Sequence, residues 1–346
     1  MTISRSNRVN MADVARESGV SVTTVSLVLG DKPGIPGETR ERVMTAARQL
    51  GYRVKSASMM NQANSVRTVV MLVKMGPGEV PQANQFYAPV MAGIETACRQ
   101  RQIDLIFSAL TVDENNSPLN LPITLQKGSL DGILLVGAHV DDEFCRILSQ
   151  LYKPVVLVDG YSDHDRFDSV VSDNIGGVRQ SLEYLTRAGH RHIGFVGGWE
   201  GGYPSFSERR QGYLEYMRQN GLTCRLVDAH SELKSAAEAT VRLLEEMPML
   251  TALVGCNDEI AVGAMHGITE LGYRVGEDIS VIGFDDISIA HNILPPLTTM
   301  QVDKLNMGRI AVQLLVNRSE IPDVGLMTMV LRPKLIERSS VRTLQS

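Results

Sequence analysis

Between Met11 and Leu50 the apolar positions recur at helical spacing. Val14, Ala15, Val20, Val25, Val28, Val43, Ala46, Ala47 and Leu50 fall on matching faces, which predicts three short helices sharing one small core. Asn10 is placed to cap the first, Met11 to Ser18. Gly19 then supplies the turn, because glycine adopts a positive φ cheaply. Ser21 caps the second, Ser21 to Leu29. The breaker-rich loop Gly30-Asp-Lys-Pro-Gly34 leads to a third helix, about Glu38 to Leu50, closed by Gly51. Residues 53–66 are polar and read as a linker or a conditional helix.

From Arg67 the pattern changes to short apolar runs alternating with amphipathic stretches. Strands are predicted at Thr68–Val73, Ile103–Leu110, Gly132–Val136, Pro154–Asp159, Ser169–Ser172, His192–Val196, Ala252–Gly255 and Ser280–Phe284. Helices between them include Tyr87–Arg101, Asn174–Ala188, Ser207–Asn220, Ser235–Glu245 and Asp258–Leu271. Repeated βα alternation with near-continuous apolar strands implies parallel sheets covered on both faces. The length of this region implies two such lobes. In open α/β sheets a ligand sits outside the carboxyl ends of the strands, so two facing lobes would enclose one between them.

Charge divides the chain in the same place. Residues 1–65 hold nine Lys and Arg against five acids, a net +4, which leaves −9 on the remainder of a chain whose total is −5. A basic head on an acidic body confines phosphate attraction to one end. No stretch approaches the roughly 20 apolar residues that span a bilayer. The first ten residues have no apolar signal core, so a cytoplasmic protein without a membrane partner is expected. Cys98, Cys145, Cys224 and Cys256 form no CxxC pair and read as buried reduced thiols.

A helix, a glycine-centred turn, and a second helix held by Val14, Val20 and Val25 make a helix-turn-helix. The second helix opens with small polar residues, Ser21, Thr23, Thr24 and Ser26, a face that suits base edges and phosphates in a major groove. A packing-only helical hairpin is the competing reading. The basic charge and the third helix weigh against it.

The string Asp13-Val-Ala, Gly19-Val-Ser, Thr24-Val-Ser and Val28-Leu resembles the head of the LacI/GalR family of regulators, as do Glu38-Thr-Arg-Glu-Arg-Val43 and Leu50-Gly-Tyr52. The likeness continues in family order through Asn84-Gln-Phe-Tyr87, Pro154 to Asp159, Asp173-Asn174, Gly189 to Ile193, Cys256-Asn-Asp258, Asp278 to Asp286, Pro295 to Thr299, Met307-Gly308 and Leu335 to Arg338. It covers roughly residues 10–340.

The resemblance implies an all-α helix-turn-helix head plus an α/β body, the body being two doubly wound parallel-sheet lobes of periplasmic-binding-protein type. The expected domains are a DNA-binding head over 1–53, a hinge over 54–66 and an effector-binding and dimerisation body over 67–346. Within the body the N-lobe takes about 67–168 and 301–323, and the C-lobe about 169–300 and 324–346. The function implied is a sequence-specific transcriptional regulator, a repressor, controlled by a small-molecule effector such as a sugar or sugar derivative. Its expected partners are double-stranded operator DNA and a second copy of the chain, and no cofactor is expected.

By the same resemblance Ser21, Val22, Thr23, Thr24, Ser26 and Leu27 contact DNA. The family usually has Arg where Leu27 stands, so either Leu27 touches a thymine methyl or it only packs. The hinge departs too. Val54 replaces the usual Pro and Asn61 the usual Leu wedge, so either Met59 or Met60 pries the minor groove or the DNA is bent less. The implied effector residues are Asn84, Phe86, Tyr87, Asp159, Arg209, Asn257 and Asp285, each with a loop-ordering hydrogen bond as its plainer alternative. Val302-Asp303 stands where a Gln-Pro pair is common, and Trp199 is a candidate to stack on a sugar ring.

Other chemistries find less support. His139 with Asp141, Asp142 and Glu143 has the residue types of a metal site, but acids opening a helix are more simply a cap. His190-x-His192 sits where one histidine would satisfy the last carbonyls of a helix. A carbohydrate sensor or carrier in the cytoplasm with no DNA-binding role would not need the basic head. A sugar-modifying enzyme would need a nucleophile–base pair, and none is evident.

Overall fold

The computed structural model describes residues 10–29, 35–50, 66–76, 84–113, 118–120, 122–126, 130–162, 166–198, 203–230 and 232–344. The chain forms two compact units, Met1–Ser65 and Val66–Ser346.

In the first unit, α1 spans Met11–Ser18, α2 Val22–Leu29 and α3 Gly37–Gln49. Asn10 and Asp13 cap α1 reciprocally. Asn10 Oδ1 accepts from Ala12 N at 2.9 Å and from Asp13 N at 3.2 Å, and the Asp13 carboxylate accepts from Asn10 N at 2.9 Å. Gly19 takes φ 66°, the left-handed conformation the turn needs. Val14, Val25 and Val43 are sealed against one another with Ala15, Val28, Ala46 and Ala47. Arg42 donates to Ser18 O at 3.1 Å and ties α3 to the turn. Ser21 lies just outside α2 as its cap. The predicted Gly51 stop and the Gly30–Gly34 loop lie outside the described residues.

The second unit contains two six-stranded sheets. Strands β1 (Thr68–Met75), β2 (Asp104–Thr111), β3 (Gly132–Val136), β5 (Val155–Val158) and β7 (Asp168–Ser172) join β13 (Thr328–Leu331) in the order β13-β7-β5-β3-β1-β2, all parallel. Strands β8 (Ile193–Val196), β9 (Leu226–Val227), β10 (Ala252–Gly255), β11 (Ser280–Asp285), β12 (Thr298–Gln301) and β14 (Lys334–Ile336) form the second, in the order β14-β12-β11-β10-β8-β9, with only the β12–β14 pair antiparallel. A short parallel pair, β4 (His139–Val140) and β6 (Tyr161–Ser162), lies beyond the ends of β3 and β5. The body helices are α4 (Tyr87–Gln100), α5 (Asp142–Gln150), α6 (Asn174–Arg187), α7 (Pro204–Gln219), α8 (Leu233–Glu246), α9 (Asp258–Glu270), α10 (Ser288–Asn292) and α11 (Lys304–Glu320). Every residue of β3, β5 and β7 is buried, as expected of strands covered on both faces.

The chain crosses between sheets three times: after β7, after β12, and between β13 and β14. This corrects the expected lobe limits. β7 pairs with β5 and β13, so the first lobe runs on through Ser172 and takes back 328–331. β13, Thr328-Met-Val-Leu331, is a short apolar run, but its partner β7 lies far earlier in the chain and no local pattern specifies that pairing. Strands β12 to β14 and helix α11 were not among the predicted elements, and α7 begins at Pro204 rather than Ser207, with proline in its first turn.

Two further expectations need correction. The last carbonyls of α6 are met by the backbone N–H of His190 on Leu185 O and by the Arg191 side chain on Thr186 O. The His190 ring is buried instead between Thr251 Oγ1, Ser280 Oγ and Arg342 O, joining three segments. Burial pushes its pKa down. Cys98, Cys145 and Cys256 are buried, but Cys224 is exposed. Asp141 caps α5 through Phe144 N at 2.8 Å.

Candidate functional site

The carboxyl ends of both sheets face one cleft of about 770 Å³. The first lobe lends Lys74 from the end of β1, Asn84 with Phe86 and Tyr87 at the start of α4, Gly137 to His139 after β3, and Asp159 after β5. The second lends Tyr203 to Phe206 and Arg209 from α7, His230 and Glu232, Asn257 and Glu259 from the start of α9, and Asp285 with Ile287 beyond β11. All seven residues singled out in the sequence therefore line one cavity, at the strand ends where parallel sheets present ligands.

Arg209 is the anchor of the floor. It is 3% exposed, and its Nη2 donates to Asp285 Oδ1, Nη1 to Cys256 O and Nε to Asn174 Oδ1, each at 2.9 Å. The guanidinium lies 3.8 Å over the Phe284 ring. Among the described residues, two of its five N–H groups remain after these bonds. Burial alone would pull the Arg209 pKa down, but Asp285, Cys256 and Asp159 outweigh it and hold the group charged. Burial raises the Asp285 pKa, opposed by Arg209 and by Lys304. Lys304 caps the turn behind it, donating to the carbonyls of Asp285, Asp286 and Val302.

Asp159 and Asp285 both hold positive φ, 48° and 108°. Non-glycine residues rarely occupy that region, and strain of this kind gathers at binding sites. Tyr87 donates to Asp159 Oδ2 at 3.1 Å, and burial with Arg209 and Asp285 nearby leaves the Asp159 pKa at about 6. Gly137 faces the Tyr87 ring: at φ 75°, an added Cβ would sit 2.5 Å from a ring carbon.

The walls are aromatic. Phe86 and Tyr87 meet edge to face at 5.0 Å, Tyr203 and Phe206 at 5.8 Å. Lys74 Nζ stands 4.0 Å over Tyr203 and 5.3 Å over Tyr87. Asn84 and Asn257 each spend their carbonyl oxygen on a helix start, Asn84 on Phe86 N and Tyr87 N, Asn257 on Ile260 N. Among the described residues none accepts from either Nδ2, so both amides keep a donor for the cleft. The loop-ordering role and the ligand-facing role thus occupy opposite ends of one side chain.

Sequence reasoning missed Lys74, Tyr203, Phe206, Glu232 and Lys304. Tyr203 and Phe206 were hidden by starting the helix at Ser207. The proline at 204 was the available signal. Val302-Asp303 proves to be a helix start, with Asp303 Oδ1 accepting from Asn306 N. Trp199 lies outside the described residues.

In the head, Val22, Thr23, Ser26 and Leu27 are exposed on α2, with Val22 47% and Leu27 38% accessible. Val25 and Val28 turn inward. Thr24 is half-buried, and its hydroxyl pairs with Ser21 Oγ at 2.8 Å, so these two serve the cap. The candidates Met59 and Met60 lie outside the described residues, as do Val54 and Asn61.

Residues 10–54 match the bacterial regulatory proteins of the lacI family, and residues 182–341 match a periplasmic binding protein-like domain. The ribose operon repressor of Haemophilus influenzae is 30% identical over 340 residues, 97% of this chain and 99% of its own length.

The chain belongs to the lacI family.

As a lacI-family protein it is a DNA-binding transcriptional regulator with an effector-binding body. The HTH-type transcriptional repressor PurR of Aliivibrio fischeri is 30% identical over 335 residues, covering 95% of this chain and 97% of its own. Among solved structures, the transcriptional regulator CelR–cellobiose complex superposes with a TM-score of 0.66 at 28% identity, over 96% of this chain and 100% of that one. The lac repressor dimer bound to operator and the anti-inducer ONPF, at 24% identity and a TM-score of 0.65 over 97% of this chain and 100% of that one, shows the same fold. Among the described residues no helix is long and apolar enough to cross a membrane.

Proposed function

We propose that the cleft binds a neutral, polyhydroxylated ligand of sugar type, and that its occupancy controls the grip of the head on operator DNA. The carrying observation is the Arg209–Asp285 pair at the base of an aromatic-walled cavity. A carboxylate with one oxygen beyond the ion pair accepts from hydroxyls, guanidinium and amide donors serve ring oxygens, and aromatic faces take the apolar side of a pyranose or furanose. Relatives named as a ribose operon repressor and a cellobiose complex support this ligand class. Asn84, Phe86, Tyr87, Asp159, Arg209, Asn257 and Asp285 are its contacts.

The head acts through Val22, Thr23, Ser26 and Leu27 in the major groove, with Ser21 and Thr24 offering the helix start to phosphate. Two copies act together on two operator half-sites; the similar lac repressor was solved as a dimer bound to operator. The action is repression in the cytoplasm, where the DNA is, and involves no catalysis. The boundaries 1–53, 54–66 and 67–346 are the corresponding working domains. A ligand that binds only the native state raises its melting temperature. A thermal-shift screen of sugars and nucleobases on the full chain, followed by operator binding with each hit, tests the reading. It fails if no sugar shifts the melt, or if the hits leave DNA affinity unchanged.

A further inference from the structure

A second cavity, of about 350 Å³, lies beside the cleft against β5, β7 and β13. Leu157, Phe167, Val171 and Val330 give it an apolar wall. Its polar end is the carboxylate of Glu208, the residue before Arg209 on α7. Tyr161 OH and Asn174 Nδ2 donate to Glu208 Oε2 at 3.0 and 2.7 Å, and among the described residues nothing donates to Oε1. Ser172 also lines the cavity. It is 3% exposed and its Oγ has no hydrogen-bond partner among the described residues. Leaving such a buried hydroxyl unpaired is unfavourable, a deficit that an occupant would remove.

The charge pattern selects the occupant. No Lys, Arg or His lines this cavity among the described residues, whereas Lys74, His139, Arg209 and His230 line the cleft. Asp173 is committed to the start of α6 through Gly176 N at 2.8 Å. The charged residues on its wall, Asp173 and Glu208, are therefore both acidic, and among the described residues nothing donates to Glu208 Oε1. A half-coordinated carboxylate beside an apolar wall matches an N⁺–H donor on a short hydrocarbon stem.

We propose that this cavity is a second ligand site, for a small aliphatic primary ammonium compound held by Glu208 and Ser172 with its carbon chain along Phe167 and Val330. The site is distinct from the sugar cleft, although Asn174 hydrogen-bonds both Glu208 and Arg209.

The test titrates the full chain with n-butylammonium chloride, and with n-butanol as the neutral match, at constant ionic strength, reading saturation transfer by NMR. Butylammonium is expected to bind, with butanol weaker by about tenfold or more. Glu208→Gln should weaken the ammonium by a similar factor, Ser172→Ala severalfold, and Glu232→Gln in the cleft should leave it unchanged. Thermal melts establish that each variant is folded, and Ser172→Ala carries the test if Glu208→Gln is not. Equal binding of butanol, absence of ammonium binding, unchanged affinity in the folded cavity variants, or loss on Glu232→Gln would each overturn the proposal.

Discussion

Arg209 Nη2 and Asp285 Oδ1 meet at 2.9 Å across 76 residues of sequence, both side chains almost sealed from water. The contact joins the first half of α7 to the end of β11, and so fixes the floor of the cleft. It also carries an electrostatic liability. Two buried charges are tolerable only while each answers the other and the remaining donors are satisfied. Cys256 O and Asn174 Oδ1 take two more of the Arg209 donors, and the two N–H groups left over face a need that water or a ligand in the cleft can meet.

Arg209→Met should therefore destabilise the body by about 3–5 kcal/mol, as measured by urea unfolding, and should abolish the effector response. Asp285→Asn added to it should cost far less than it does alone, since the charge it removes is already unpaired. Additive losses in the double variant would mean that the two groups act independently.

Asp258 offers a pH test of the fold. It accepts from Ile287 N at 2.8 Å and is bonded to Thr299 Oγ1, and burial, with Asp285 near, raises its pKa to about 8. The unfolded chain ionises this group near pH 4, while the native state keeps its proton up to about pH 8. Between those values the native state binds more protons, so this group makes stability fall as pH rises, by at most about 1.4 kcal/mol per pH unit. Asp258→Asn preserves the shape and removes the titration. Its unfolding midpoint should match the parent near pH 4 and exceed it near pH 8; a midpoint that tracks the parent at every pH would contradict the buried neutral carboxyl.

The head was legible because its information is local: a cap, a glycine turn and an apolar period all lie within forty residues. The cleft was partly legible for a related reason. Asp159, Asn257 and Asp285 end apolar runs, and the ends of such runs converge in a parallel sheet. What could not be read was tertiary. Lys304 acts only by reaching carbonyls at 285 and 286, and β13 is an edge strand placed by its pairing with β7, far away in sequence. Thr24 looked free for DNA until the structure showed its hydroxyl tied to Ser21.

Effector binding should respond to pH through Asp159. Its carboxyl, facing Tyr87, Arg209, Asp285 and Lys74, titrates at about 6. A ligand hydroxyl donates best to the ionised form, so affinity should be full above pH 6 and decline below it, by up to about tenfold per unit. Calorimetry at pH 5 to 8 with a hit from the sugar screen measures the step. In Asp159→Asn the step should disappear along with most of the affinity. A step that persists would assign the titration to another group.

Recognition by the head can be tested at Leu27. Its side chain is 38% exposed on the same face of α2 as Val22 and Thr23, while Val25 and Val28 fill the core behind. A residue so placed does not support the fold, and in the proposed docking it meets a base edge, so substitution should change which operator is chosen and leave stability alone. Leu27→Arg supplies a bidentate donor for guanine O6 and N7, worth roughly 1–3 kcal/mol of discrimination, and should move the preferred half-site toward guanine at one position. Selection from a randomised half-site library, parent against variant, reads this directly. Binding of both should weaken steeply with salt, because the basic head releases counterions from phosphate. A preference unchanged at every position would mean that Leu27 lies outside the groove.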